Sequence, residues 1–127
     1  MPEEYILLVN DLKTLEQPLN ASEEEEPETV LLPMAEDEWN TRPDTVSYGI
    51  VQLEFEATDN HGDDSKIRAA YEGSVDLFSL VRNGAGWIPL IIRALTKHCD
   101  GSWQLNSHTY ERETGLFHWE WVFQIEG

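Results

Sequence analysis

One stretch near the end of the chain limits the fold more than any other. From Leu116 to Glu126, Phe117, Trp119, Trp121, Phe123 and Ile125 alternate with His118, Glu120, Val122 and Gln124. A period of two puts the first set on one face of a β-strand and the second set on the other. Burying the five large apolar side chains contributes about 1.5–3 kcal/mol each, which makes this strand the expected spine of the core. Trp103 to Arg112 reads as its hairpin partner, with Glu113-Thr114-Gly115 as the turn and Gly115 free to adopt positive φ. Strict alternation on that arm places Tyr110 on one face with Gln104, Asn106 and His108.

The remaining elements follow from the same periodicities. Tyr5, Leu8, Leu12 and Leu15 recur at spacings of three and four, which predicts an amphipathic helix from Glu3 to Leu15 ended by Pro18. Val51, Leu53, Phe55 and Ala57 alternate with Gln52, Glu54 and Glu56, and Tyr71, Val75 and Leu77 alternate with Glu72, Ser74 and Asp76, giving two half-buried strands. Ile88, Ile91, Ile92 and Leu95 form one face of a second helix, closed by Gly101. Thr29 to Met34 reads as a short edge strand because of Pro33, and Ala35 to Asp44 as an acidic loop anchored by Trp39. The expected fold is α+β: a mostly meander-like antiparallel sheet of four to five strands, two helices on one face, and a C-terminal hairpin. The expected organisation is a single domain over residues 1–127, with an N-terminal helix (1–17), an acidic insert (20–44) and the sheet, helix and hairpin (45–127).

Composition excludes several classes. The chain has 127 residues, 40% of them hydrophobic, which is enough for one core and too much for disorder throughout. It carries 25 acidic and 8 basic residues, a net charge of -17. Residues 1–44 hold 13 acidic and 2 basic residues, so the first third is the electrostatically odd part. Binding nucleic acid through its phosphates needs the opposite sign of charge. The apolar runs are too short to span a membrane, and no signal-peptide pattern opens the sequence. With a single cysteine, no internal disulfide or cysteine zinc cage can form.

No constellation of residues points to catalysis. His61, Asp63 and Asp64 resemble a metal cluster in composition, but their spacing matches no metal motif and a polar loop is the expected reading. Cys99 continues the apolar face of the second helix four residues after Leu95, so it reads as a core residue rather than a nucleophile. The pairs Glu54/Glu56 and Glu111/Glu113 lie on wet strand faces, where nothing separates their pKa values for acid–base work. No cofactor or metal is expected. Two surplus aromatics remain on polar strand faces, Phe78 beside Glu72 and Asp76, and Tyr110 beside Arg112. Aromatics on polar faces suit subunit interfaces, so Glu72, Asp76, Phe78, Tyr110 and Arg112 are the candidate contact residues. Arg112, one of 8 basic residues in an acidic chain, is expected to meet a carboxylate within or between subunits.

The segments Tyr48-Gly49-Ile50-Val51-Gln52-Leu53, Tyr71-Glu72-Gly73-Ser74-Val75-Asp76-Leu77-Phe78-Ser79, Trp87-Ile88, Trp103-Gln104-Leu105-Asn106-Ser107 and Tyr110-Glu111-Arg112-Glu113-Thr114-Gly115-Leu116-Phe117-His118-Trp119-Glu120-Trp121 carry a family likeness. Over residues 45–127 the chain resembles the small tail-completion and tail-terminator proteins of long-tailed bacteriophages and prophages. The acidic insert at 20–44 departs from that pattern. The resemblance implies a non-enzymatic virion protein that forms a homo-oligomeric ring, often six-fold. The ring would cap the tail tube and join it to the head connector, with the tail tube protein and neck proteins as partners. It implies assembly in the host bacterial cytoplasm followed by residence in the virion neck. A negatively charged lumen would let DNA pass without sticking. The alternative expectation is an acidic nucleic-acid mimic that inhibits a host DNA-binding enzyme.

Overall fold

The computed structural model describes residues 2–18, 28–58 and 69–126. The Glu23–Glu26 run and the His61-Gly62-Asp63-Asp64 segment lie outside the described residues. Helix α1 (Glu3–Lys13) buries Tyr5, Leu8, Val9 and Leu12, the face expected from their spacing. It stops two residues short of the expected end: the Thr14 hydroxyl donates to the Asn10 carbonyl at 3.0 Å, and Leu15 has already left the helix.

Two features of the next stretch depart from expectation. Glu16–Pro18 (β1) pairs antiparallel with Thr29–Leu31 (β2), forming a two-stranded ribbon of its own. The single strand expected over Thr29 to Met34 divides at Pro33, which has no N–H to donate to a continuing ladder. Beyond it, Met34–Glu36 (β3) runs parallel to β4 (Ser47–Thr58), so the main sheet is mixed rather than wholly antiparallel. Trp39 anchors the intervening loop as expected: its indole N–H donates to the Gly49 carbonyl at 3.0 Å.

β4 and β5 (Ala69–Ser79) form a long antiparallel pair with a bulge between Leu53 and Phe55. Helix α2 (Trp87–Cys99) follows a short 3₁₀ turn and buries Trp87, Ile91, Ala94, Leu95 and Cys99. Its end is closed by two left-handed residues, Asp100 at φ 44° and Gly101 at φ 82°, where glycine alone was expected. The chain then forms β6 (Trp103–Glu111), turns, and returns as β7 (Leu116–Glu126). The order across the five-stranded sheet is β3-β4-β5-β7-β6. This corrects the meander. β7 lies between β5 and β6 because α2 carries the chain past the central position and leaves it for the strand with the most apolar surface to bury.

Trp119, Trp121, Phe123 and Ile125 of β7 join Val75 and Leu77 of β5 and the buried residues of both helices in one core. Tyr5 of α1 stacks on Phe123 with ring centroids 6.3 Å apart. A polar clasp joins the helices on the outside: His98 Nδ1 lies 2.9 Å from Glu4 Oε2 and His98 Nε2 lies 2.6 Å from Asp11 Oδ2. The bond from His98, helped by Lys97, holds the Asp11 carboxyl below its ordinary range. The Cys99 thiol sits at the base of this helix pair, and burial pushes its pKa up to about 12, far from the thiolate a nucleophile needs.

Gly73 lies where β5 passes closest to the core rings. A Cβ there would sit 2.5 Å from the Gln52 carbonyl oxygen and 2.5 Å from Cζ of Phe123. The carbonyl belongs to the β4 backbone and cannot move without breaking the ladder. Gly73→Ala should therefore lower stability by about 1–3 kcal/mol, measured as a reduced urea midpoint at unchanged m-value.

Candidate interaction surface

The face of the sheet opposite the helices was expected to be wet, and the structure closes its centre. Ser74 is fully buried and Asp76 is 7% exposed, although both lie on the polar face of β5. Pairing explains this. β5 is flanked by β4 and β7, and the register aligns Tyr48, Phe78 and His118 in one row and Ile50, Asp76 and Glu120 in the next. Side chains from both neighbours therefore cover those of β5. Gln52 Nε2 donates to the Ser74 hydroxyl at 3.3 Å. Tyr48 and Phe78 stack with centroids 4.9 Å apart, and Phe78 and His118 stack at 4.1 Å. The guanidinium of Arg42 lies 5.5 Å from the Tyr48 centroid, which extends the stack to four layers. Trp39 meets Tyr48 edge-on.

His118 closes this assembly through Asp76. Its Nε2 lies 2.7 Å from Asp76 Oδ1. That hydrogen bond raises the imidazole pKa, burial opposes it, and the charges of Asp76, Glu111 and Glu120 add to the rise. The sequence offers Phe78 and Asp76 as surface candidates but not His118 and Tyr48 as their partners. The signal was available only in part: His118 was placed on the correct face, but nothing in the sequence fixes which residue of β7 sits beside Phe78.

The hairpin carries a correction. A register shift between Leu105 and Ser107 marks a bulge at Asn106. The extra residue reverses the facing of everything after it. His108 pairs with Trp119 and Tyr110 with Phe117, so both lie on the helix-side face and not with Gln104. His108 stacks on Trp119 at 4.7 Å, and Tyr110 tilts onto Phe117 at 4.8 Å. β6 is an edge strand, and Tyr110 stays 53% exposed.

The five candidate contact residues therefore separate. Asp76 and Phe78 are engaged within the chain. Glu72 remains on the outer face, where its Oε1 accepts from Gln124 Nε2 at 2.8 Å. Tyr110 and Arg112 lie at the opposite end of the sheet, in and beside the β6–β7 turn. No ion pair joins Arg112 to a carboxylate among the described residues. Val46, Leu80 and Val81 are exposed at the same end, where β4 begins and β5 stops. Glu72 borders an open groove of about 460 Å³ that crosses the outer face, shared with Glu54, Gln104, Val122 and Gln124.

Among the described residues, no three metal-ligating side chains converge, and no helix is long and apolar enough to cross a membrane. Comparison with protein-family models and with curated proteins gives no match. Among solved structures, the chain is similar to one from the virion of a native gene transfer agent particle. The two share 13% identity at a TM-score of 0.44, over 73% of this chain and 78% of that one.

The His118–Asp76 pair predicts a pH dependence. A raised folded pKa means that the stabilisation is fully present below the unfolded value of about 6.5 and is lost as pH rises through the folded value. The urea midpoint should fall across that window, and His118→Gln should remove this component. A midpoint profile identical in wild type and variant across that window would contradict the assignment.

Proposed function

We propose that this chain is a non-enzymatic structural subunit of a long-tailed phage or prophage virion. It would form an oligomeric ring that completes the tail tube and joins it to the head connector. The reading starts from the resemblance over residues 45–127. The observation that supports it in the fold is the turn end of the sheet. There Tyr110, Val46, Leu80 and Val81 are exposed at the same end as Arg112, a cation without a described carboxylate partner. Exposed aromatic, aliphatic and arginine side chains gathered at one end have the composition of an interface core.

In this reading the subunits meet through unlike surfaces and the contact closes by rotation. The tail tube protein and neck proteins are the remaining partners, and part of the -17 charge lines a lumen that repels passing DNA. A nucleic-acid mimic fits less well. Such a mimic needs carboxylates spread regularly over a folded face, whereas the outer face commits its central carboxylate, Asp76, to His118.

The reading predicts reversible self-association. Light scattering across protein and salt concentration should give the mass of a closed ring of about six subunits, either in solution or after addition of isolated tail tubes. A monomer under both conditions would overturn it.

A further inference from the structure

We infer that the β6–β7 turn of one copy docks into the Glu54/Glu72 groove of the next, with Arg112 as the recognised cation and a second copy of this chain as the occupant. This deepens the ring reading and rests on it. The turn presents Arg112 next to the half-exposed ring of Tyr110. The groove presents two carboxylates, Glu54 and Glu72, with Trp103, Val122 and Phe123 as apolar members of the same lining. Only one of these carboxylates has a described hydrogen-bond donor, the Gln124 amide on Glu72. A guanidinium entering between them would offset their mutual repulsion and present a planar fork of donors to both.

Two features of the fold make the occupant another copy rather than the chain's own turn. The turn follows the row that pairs Tyr110 with Phe117, whereas the groove lies on the rows of Val122 and Gln124. Gln124 lies seven strand steps beyond Phe117, a distance of about 23 Å at the usual strand rise, so a copy cannot fill its own groove. The two surfaces also differ from each other and lie at opposite ends of one rigid sheet. A contact between unlike surfaces leaves each copy with one free turn and one free groove, and so propagates until it closes. Most of the surface of a -17 chain repels its own copies. Among the described residues, the turn end exposes Arg82 and Arg112 together with apolar side chains, alongside Glu111 and Glu113.

The test is a charge swap read by light scattering and sedimentation. Arg112→Glu alone and Glu72→Arg alone should each weaken self-association by about tenfold or more, because each sets like charges against each other in the contact. The double variant, and an equimolar mixture of the two single variants, should recover association to within about threefold of wild type, since opposite charges again meet. Glu72→Gln keeps an acceptor for Gln124 and removes the charge, so it should weaken association less than Glu72→Arg. Unchanged urea midpoints would confirm that the variants fold. If wild type forms rings and both single variants do so equally well, or if the swap gives no recovery, this contact is wrong while the ring reading stands. If wild type fails to associate with itself even on tail tubes, the ring reading fails and the contact fails with it.

Discussion

The structure depends on the inner row of β7. Trp119, Trp121, Phe123 and Ile125 are all nearly free of solvent. That row needs covering from above and pairing on both sides. Both helices contribute to the cover, and the Tyr5–Phe123 stack brings α1 over the far end of the strand. The pairing requirement moves β7 to the interior of the sheet, between β5 and β6. A strand with this much to bury is stable at the centre, and the shorter, more polar β6 can tolerate the edge. The glycine at position 73 belongs to the same arrangement, because the Phe123 ring occupies the space a side chain would need.

Central pairing also changes the chemistry of the opposite face. A serine and an aspartate on β5 would be solvated on an isolated hairpin. Between two long neighbours they are enclosed, and burying a carboxylate requires a partner. His118 supplies it for Asp76, while Phe78 and Tyr48 continue the stack outward to Arg42. The outer face thus has a rigid, internally satisfied middle. The side chains left for contacts lie toward its two ends, at the β6–β7 turn and at the Glu54/Glu72 groove. In the proposed ring, that division would let one end of a subunit meet the other end of the next.

The bulge at Asn106 shows how one residue redirects the side chains that follow it. Without it, Tyr110 would face the same side as Gln104. With it, Tyr110 lies on the continuation of the core face and stays half exposed against Phe117. An aromatic held by one neighbour and open on its other side needs little further ordering to join an interface.

Much of this was legible in the sequence. The helix over Tyr5 to Leu12, the alternation in β5 and β7, the buried Cys99, the Trp39 anchor and the hairpin turn were all readable, because each depends on local periodicity or on the conformational range of one residue. The α+β class followed from their order. The tertiary structure decided the rest: the parallel pairing of β3, the insertion of β7 between β5 and β6, the facing of Tyr110, and the enclosure of Asp76 by His118. These depend on which residues stand opposite one another across strands far apart in the chain. Alternation fixes the face a side chain takes within its own strand, but spatial order, register and bulges arise only when strands compete for pairing partners and for room beneath the helices.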